Sequence, residues 1–110
     1  MKYIFEIHIK PNYTIEEYVS AWKRGSDIIQ QLSPGAEGTR LYRKRGEDNT
    51  LLAIATWESK EARDSAMNNL SRIDDQTRRI VDRHKDLADL TPIGAFDDTE
   101  WVVMPPESLL

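Results

Sequence analysis

The chain has 110 residues, 39% of them hydrophobic and 31% charged, and a formal net charge of -4. A chain of this length buries one hydrophobic core, which excludes an enzyme with a separate cofactor-binding domain, so we predict a single domain over residues 1–110. It contains no cysteine, which excludes disulfides, thiol nucleophiles and cysteine-bound metals and favours a cytoplasmic location. The mildly acidic balance argues against a nucleic-acid partner.

The first predicted element is a strand over residues 2–10, where apolar side chains alternate with the others. Residues Tyr3, Phe5, Ile7 and Ile9 share one face. The apolar stretch is short and contains Glu6 and His8 on the other face, so we expect neither a signal peptide nor a contact with the membrane.

A helix follows Pro11 and Asn12. Thr14 and Glu17 have the spacing of a capping box, which fixes where the helix begins. Ser33-Pro34-Gly35 ends it after about 19 residues. One helical stripe of the segment is formed by Ile15, Tyr18, Trp22, Gly25, Ile29 and Leu32.

Two further strands are predicted over residues 38–44 and 50–57, joined by a polar loop that contains Gly46. The second of these strands is apolar at every position from Leu51 to Ala55. Such a run is typical of a central strand that is covered on both faces.

A second helix begins after Ser59, and its apolar seam continues to Leu87 with a bend expected near residues 68–71. Thr91-Pro92 precedes a short last strand over residues 93–96. A C-terminal tail begins at about residue 99 and includes an extended piece over residues 101–104.

This element order predicts an α+β fold, the ferredoxin-like split βαβ sandwich, in which two helices cover one face of an antiparallel sheet. The opposite face is too apolar to stay in water and too polar for a monomer core. We therefore expect a homodimer, packed sheet against sheet as a dimeric α/β barrel. The predicted interface residues are Ile4, Glu6, His8, Arg40, Tyr42, Leu52 and Ile54.

Three segments carry a resemblance to a known family: Pro34-Gly35 with Gly38 before a strand, the strand Leu51–Trp57, and Glu58–Ala62 opening a helix. Together they resemble the antibiotic biosynthesis monooxygenases of the dimeric α/β-barrel group. The resemblance implies oxygenation without a cofactor, in which a phenolate or enolate of the substrate itself reduces oxygen. Relatives of this kind also include haem-degrading enzymes, but Ile7 and Ala66 stand where that branch has asparagine and tryptophan.

Gly25 lies in the buried stripe of the first helix, where glycine fills no space and costs about 1 kcal/mol relative to alanine. Either the helix packs closely there, or a gap takes an aromatic or polyketide-type ligand. The residues expected around such a pocket are Tyr3, Phe5, Trp22, Gly25, Ala53, Ala55 and Ala66, with Trp57 as a further wall.

Catalysis in such a pocket needs a base and hydrogen-bond donors for the developing oxyanion. His84 on the seam of the second helix is the candidate base, although a histidine there is also compatible with packing alone. Arg63, Asn68 and Asn69 are the candidate donors, while Trp57 matches an aromatic residue of the family. We expect no metal, because two histidines cannot build a three-ligand site without carboxylates. A non-catalytic dimeric binding or assembly module of the same fold is the alternative.

Overall fold

The computed structural model describes residues 1–107, which form a four-stranded sheet and four helical segments. All strand pairs are antiparallel, and the strands lie in the order β2-β3-β1-β4. The elements are β1 (Lys2–Ile9), α1 (Ile15–Leu32), β2 (Ala36–Arg43), β3 (Thr50–Trp57), α2 (Lys60–Leu70), α3 (Asp75–Asp82), α4 (His84–Leu87) and β4 (Ala88–Phe96). This is the predicted ferredoxin-like α+β fold, with β1 and β3 at the centre of the sheet.

The core lies between the helices and one face of the sheet, as the alternation in β1 predicted. Ile7 and Ile9 of β1, and Leu51 and Ala53 of β3, are buried there around the fully buried Tyr18 of α1. Cross-strand pairing of Phe5 with Ala53 sets the register that brings these side chains to one face.

Helix α1 begins where the capping box predicted. The Thr14 side chain accepts a hydrogen bond from the Glu17 backbone N–H at 3.1 Å, and the Glu17 carboxylate accepts one from the Thr14 backbone N–H at 3.2 Å. Both bonds satisfy N–H groups that the first helical turn leaves without a partner. The helix has 18 residues and is about 27 Å long.

The second helical region is not one helix with a bend, so the prediction of a continuous seam to Leu87 was wrong. Helix α2 ends at Leu70, and Asp74 begins α3 by accepting a hydrogen bond from the Thr77 backbone N–H at 2.8 Å. A further break at Arg83 separates α3 from the single turn of α4. The weak helix formers at positions 68–71 predicted where the first break lies, but they did not predict that the helix would end there completely.

The last strand begins at Ala88, five residues before the predicted start, because Pro92 does not end it. β4 is an edge strand, and its register shifts between the pairs made by Ile4 and Phe5. Proline is tolerated at edges and bulges, where its missing N–H breaks no required hydrogen bond. β2 likewise begins at Ala36, with an irregular register before Thr39, where Gly38 has φ 100°.

Residues 97–107 follow β4 without regular secondary structure. Trp101 and Val103 are 82% and 98% exposed. Positions 108–110 of the predicted tail lie outside the described residues. None of the helices found in residues 1–107 has the length and apolar character needed to cross a membrane.

Candidate active site between the helices and the sheet

A cleft of about 390 Å³ lies between the sheet and helices α1 to α4. We call it the helix–sheet cleft. Its volume falls in the range of small-molecule sites, which is roughly 300–1,000 Å³. Four aromatic side chains line it: Tyr3, Phe5, Trp22 and Trp57. An aromatic lining of this kind suits a flat apolar ligand.

The structure brings together part of the predicted site. Besides the four aromatic residues, Ala55, Arg63 and His84 line the cleft. Five other residues named from the sequence do not line it: Gly25, Ala53, Ala66, Asn68 and Asn69.

Gly25 lies outside the cleft because it faces helix α3. A Cβ atom placed on Gly25 would lie 2.9 Å from the backbone oxygen of Val81 and 3.3 Å from that of Ile80. The missing side chain therefore allows two helix backbones to approach each other. Of the two explanations that the sequence left open for Gly25, close packing is correct and a ligand gap is not.

Ala53 and Ala66 lie in the packed core and not at the cleft. Ala53 is fully buried in the cluster around Tyr18, while Ala66 packs with Met1 and Trp57 in a second cluster. Asn68 and Asn69 are exposed near the C-terminal end of α2, where their backbone oxygens accept hydrogen bonds from the turn that follows. These two asparagines are therefore not in position to donate to a ligand in the cleft.

His84 lies at the start of α4, where the break at Arg83 places its ring on the cleft wall. Its Nδ1 atom is 3.0 Å from the Val81 backbone oxygen. Since a carbonyl oxygen only accepts, Nδ1 carries the hydrogen, and Nε2 of the neutral ring is left as an acceptor. Burial lowers the pKa of His84, outweighing the Val81 hydrogen bond that raises it. The ring is therefore neutral at pH 7.

Tyr18 stands beside His84, with the two rings edge to face and their centroids 6.0 Å apart. Its hydroxyl is buried and has no hydrogen-bond partner among residues 1–107. Burial raises the pKa of this phenol well above its ordinary value, so it stays protonated. The place of Tyr18 in the apolar stripe of α1 predicted that the side chain is buried. Nothing in the sequence predicted that its hydroxyl has no hydrogen-bond partner within the described residues.

Arg63 lies at the cleft with its guanidinium over the ring of Tyr3. Its Cζ atom is 3.7 Å from the ring centroid, within the range of a cation–π interaction. Helix α2 sets this position, because Ser59 begins the helix by accepting a hydrogen bond from the Ala62 backbone N–H at 3.0 Å. Arg63 then falls in the first turns, directly beside the first residues of β1.

Sequence reasoning did not identify three charged residues that line the cleft: Arg78, Asp82 and Lys85. Asp82 forms salt bridges with both cations, at 3.7 Å to Arg78 and 3.2 Å to Lys85. The four-residue spacing of Arg78 and Asp82 suits an ion pair on one helix face. The pair faces the cleft because α3 is oriented separately from α2. A single continuous helix would not have predicted that orientation.

The predicted interface residues lie on the opposite face of the sheet. Register places Ile54 between Ile4 of β1 and Arg40 of β2. Glu6 and His8 are in contact there, with 2.6 Å between the Glu6 Oε1 and His8 Nε2 atoms. Within residues 1–107, no group of three or more histidine or acidic side chains is arranged to hold a metal ion.

The sequence and the fold were compared with those of known proteins. No protein-family model and no curated protein matches the sequence. The fold matches a point mutant of SnoaB, a cofactor-independent oxygenase from Streptomyces nogalater, with a TM-score of 0.72 and 17% identity over 91% of this chain and 94% of that one. It also matches a candidate antibiotic biosynthesis monooxygenase from Bacteroides thetaiotaomicron, with a TM-score of 0.66 and 18% identity over 96% and 95% of the two chains.

A third match is a candidate antibiotic biosynthesis monooxygenase from Chloroflexus aurantiacus, with a TM-score of 0.60 and 9% identity over 89% of this chain and 94% of that one. At sequence identities this low, the matches show a shared backbone fold and do not show shared catalytic residues. The resemblance inferred from the sequence is therefore confirmed at the level of the fold, and this chain has the ferredoxin-like fold of solved antibiotic biosynthesis monooxygenases.

Proposed function

We propose that this chain is a cofactor-independent monooxygenase that oxidises an aromatic or polyketide-type small molecule in the helix–sheet cleft. One observation carries the proposal: a neutral histidine stands in an aromatic-lined cleft, in a fold shared with a cofactor-independent oxygenase. Together these supply a base and a binding surface for a substrate that provides its own electrons.

The proposed chemistry begins with removal of a proton from an activated methylene of the substrate. The resulting enolate or phenolate gives one electron to molecular oxygen, and the substrate radical then combines with superoxide to form a peroxide. Protonation of the peroxide and loss of water leave a carbonyl group. In sum, one methylene and one oxygen molecule give one carbonyl and one water. The substrate supplies all the electrons.

His84 is the proposed base. Its Nδ1 is held by the Val81 carbonyl, which leaves Nε2 free to accept the proton. The lowered pKa keeps the ring unprotonated at neutral pH, the state in which a base can act. Trp22 and Trp57 contribute aromatic walls against which the ring of the substrate can lie.

We further propose that the chain forms a homodimer through the outer face of its sheet. Large apolar side chains are exposed on this face and in the C-terminal segment. Phe96 and Tyr42 are 49% and 43% exposed, and Trp101 is 82% exposed. Large exposed apolar side chains are what an interface with a second copy would cover.

Oxygen uptake tests the proposed activity. Purified protein, freed of metal and flavin, is mixed with anthrone, a tricyclic model substrate with an activated methylene. We expect one oxygen molecule to be consumed for each anthraquinone formed, with the enzymatic rate falling in acid as His84 takes up a proton, at a pH below its ordinary pKa of about 6.5.

His84→Asn is the informative variant, because an asparagine amide can still donate to the Val81 carbonyl but cannot act as a base. We expect its rate to fall by about 10²-fold or more, without the acid limb and with the melting temperature preserved. Wild-type turnover by His84→Asn would exclude His84 as the base. Binding of anthrone with no oxygen uptake by the wild-type protein would instead favour the non-catalytic binding module.

A further inference from the structure

We propose that the ligand of the helix–sheet cleft is an aromatic anion, with its carboxylate or phenolate held by Arg63. This inference rests on the proposed use of the cleft as a ligand site and adds the charge of the ligand. The cleft has one acidic residue in its lining, Asp82, against three basic ones: Arg63, Arg78 and Lys85.

The basic residues differ in what neutralises them. Arg78 and Lys85 both pair with Asp82, and their side chains are 51% and 59% exposed. Arg63 is partly buried, and its side chain makes neither a salt bridge nor a hydrogen bond with any residue in the described part of the chain. Asp82 is thus shared by two cations, whereas Arg63 is the one basic residue of the cleft lining that has no anionic partner among the described residues.

The stacked position of Arg63 determines what it can bind. Its guanidinium Cζ atom lies over the Tyr3 ring, 3.7 Å from the centroid, a distance at which the planar group stacks on the ring. Stacking occupies the face and leaves the N–H groups at the edge free to donate two parallel hydrogen bonds, the arrangement that matches a carboxylate. A partly buried cation without an anionic partner is costly, so an anion at this edge gains a charge-assisted contact.

The same geometry explains why the anion should carry an aromatic ring. Tyr3 is followed along β1 by Phe5, with 6.1 Å between their ring centroids, and Trp22 and Trp57 line the same cleft. A ligand with its acidic group at Arg63 therefore places its ring system against aromatic walls. Small inorganic anions would reach the guanidinium but leave these walls unused.

Calorimetric titration with a matched pair of ligands tests the inference. Naphthoate carries a carboxylate on a double ring, and naphthalenemethanol carries a neutral hydroxyl on the same ring. We expect naphthoate to bind the wild-type protein at least about tenfold more tightly, the affinity ratio that one charge-assisted hydrogen bond supplies. Arg63→Gln should lose this preference while retaining the weaker binding of the neutral ligand.

Arg72→Gln is the matched control, since Arg72 is an exposed arginine just after α2 that does not line the cleft. It should keep the full preference for naphthoate. Equal binding of the two ligands by the wild-type protein, an unchanged preference in Arg63→Gln, or no binding of either ligand would each overturn the inference. Oxygen uptake decides the proposed activity separately, because a preference for naphthoate without turnover would refute the oxygenase and leave the anion site standing.

Discussion

Gly25 shows how one residue can carry a packing constraint that its sequence pattern leaves ambiguous. Its place in the apolar stripe of α1 predicted that it is buried, and both a ligand gap and close packing fitted that pattern. The structure puts the backbone of Val81 against it, at 2.9 Å from the position of a Cβ atom. A contact between two helix backbones depends on tertiary arrangement, which no local pattern encodes.

We expect Gly25→Ala to destabilise the protein. The added methyl group would have to push the α3 backbone away, and overpacking of this kind costs about 1–3 kcal/mol. Alanine recovers up to about 1 kcal/mol through its better helix propensity. Because the clash is with backbone, which moves less easily than a side chain, we expect a cost in the upper part of that range and a net loss of about 1–2 kcal/mol. Urea unfolding measures it, with Ser20→Ala on the exposed face of α1 as the control. A Gly25→Ala variant as stable as wild type would show that α1 and α3 are not in backbone contact.

At the residue scale, alternation and helical spacing predicted the aromatic part of the cleft. Tyr3 and Phe5 follow from the two-residue period of β1, and Trp22 from the stripe of α1. The helical spacing of apolar residues in α1 could not show which of them face the cleft and which face α3. Gly25 faces α3 and Trp22 lines the cleft, although both belong to the same stripe.

At the scale of elements, the division of the second helical region determines which side chains reach the cleft. A continuous helix would give Ala66 and His84 one common face. The breaks at residues 71–74 and at Arg83 instead orient α2, α3 and α4 separately. Ala66 consequently enters the core, whereas His84 lines the cleft. The sequence indicated the first break through weak helix formers, but the new orientation arises from packing on α1 and the sheet.

Helix α2 offers a test of how firmly the element holding Arg63 is anchored. We expect Ser59→Ala to lower the free energy of unfolding by about 1 kcal/mol, because it removes the side chain that caps the helix. Ser65→Ala makes the same change within the exposed part of α2, where alanine is neutral or gains about 0.5 kcal/mol. Urea unfolding compares the two variants. If they have the same stability, the cap does not anchor α2.

At the scale of the whole molecule, the sheet has one face covered by helices and one uncovered. The two-residue period predicted this division, and the buried positions Ile7 and Leu51 confirm the covered face. Ile4 and Ile54 pair across the uncovered face. Nothing in the sequence period distinguishes an outer face that stays in water from one that meets a second copy. The interface therefore remains a prediction.

We expect Ile54→Glu to convert the proposed dimer into a monomer. Ile54 lies on β3, one of the two central strands, so its side chain would be near the middle of a sheet-to-sheet interface. The new carboxylate would lie beside Arg40, but a sheet-to-sheet interface would strip the water from both charges, which costs several kcal/mol, whereas in a monomer they would stay in water. Light scattering coupled to size-exclusion chromatography measures the mass of the particle. The fold itself should persist, as judged by circular dichroism.

Leu32→Glu is the matched control, since Leu32 is 50% exposed at the end of α1 and lies away from the uncovered sheet face. It should remain a dimer at the concentration at which Ile54→Glu is monomeric. Dissociation by Leu32→Glu with an intact Ile54→Glu dimer would move the interface to the helical side. A monomeric wild-type protein would contradict the proposed dimer and leave the outer face of the sheet in water.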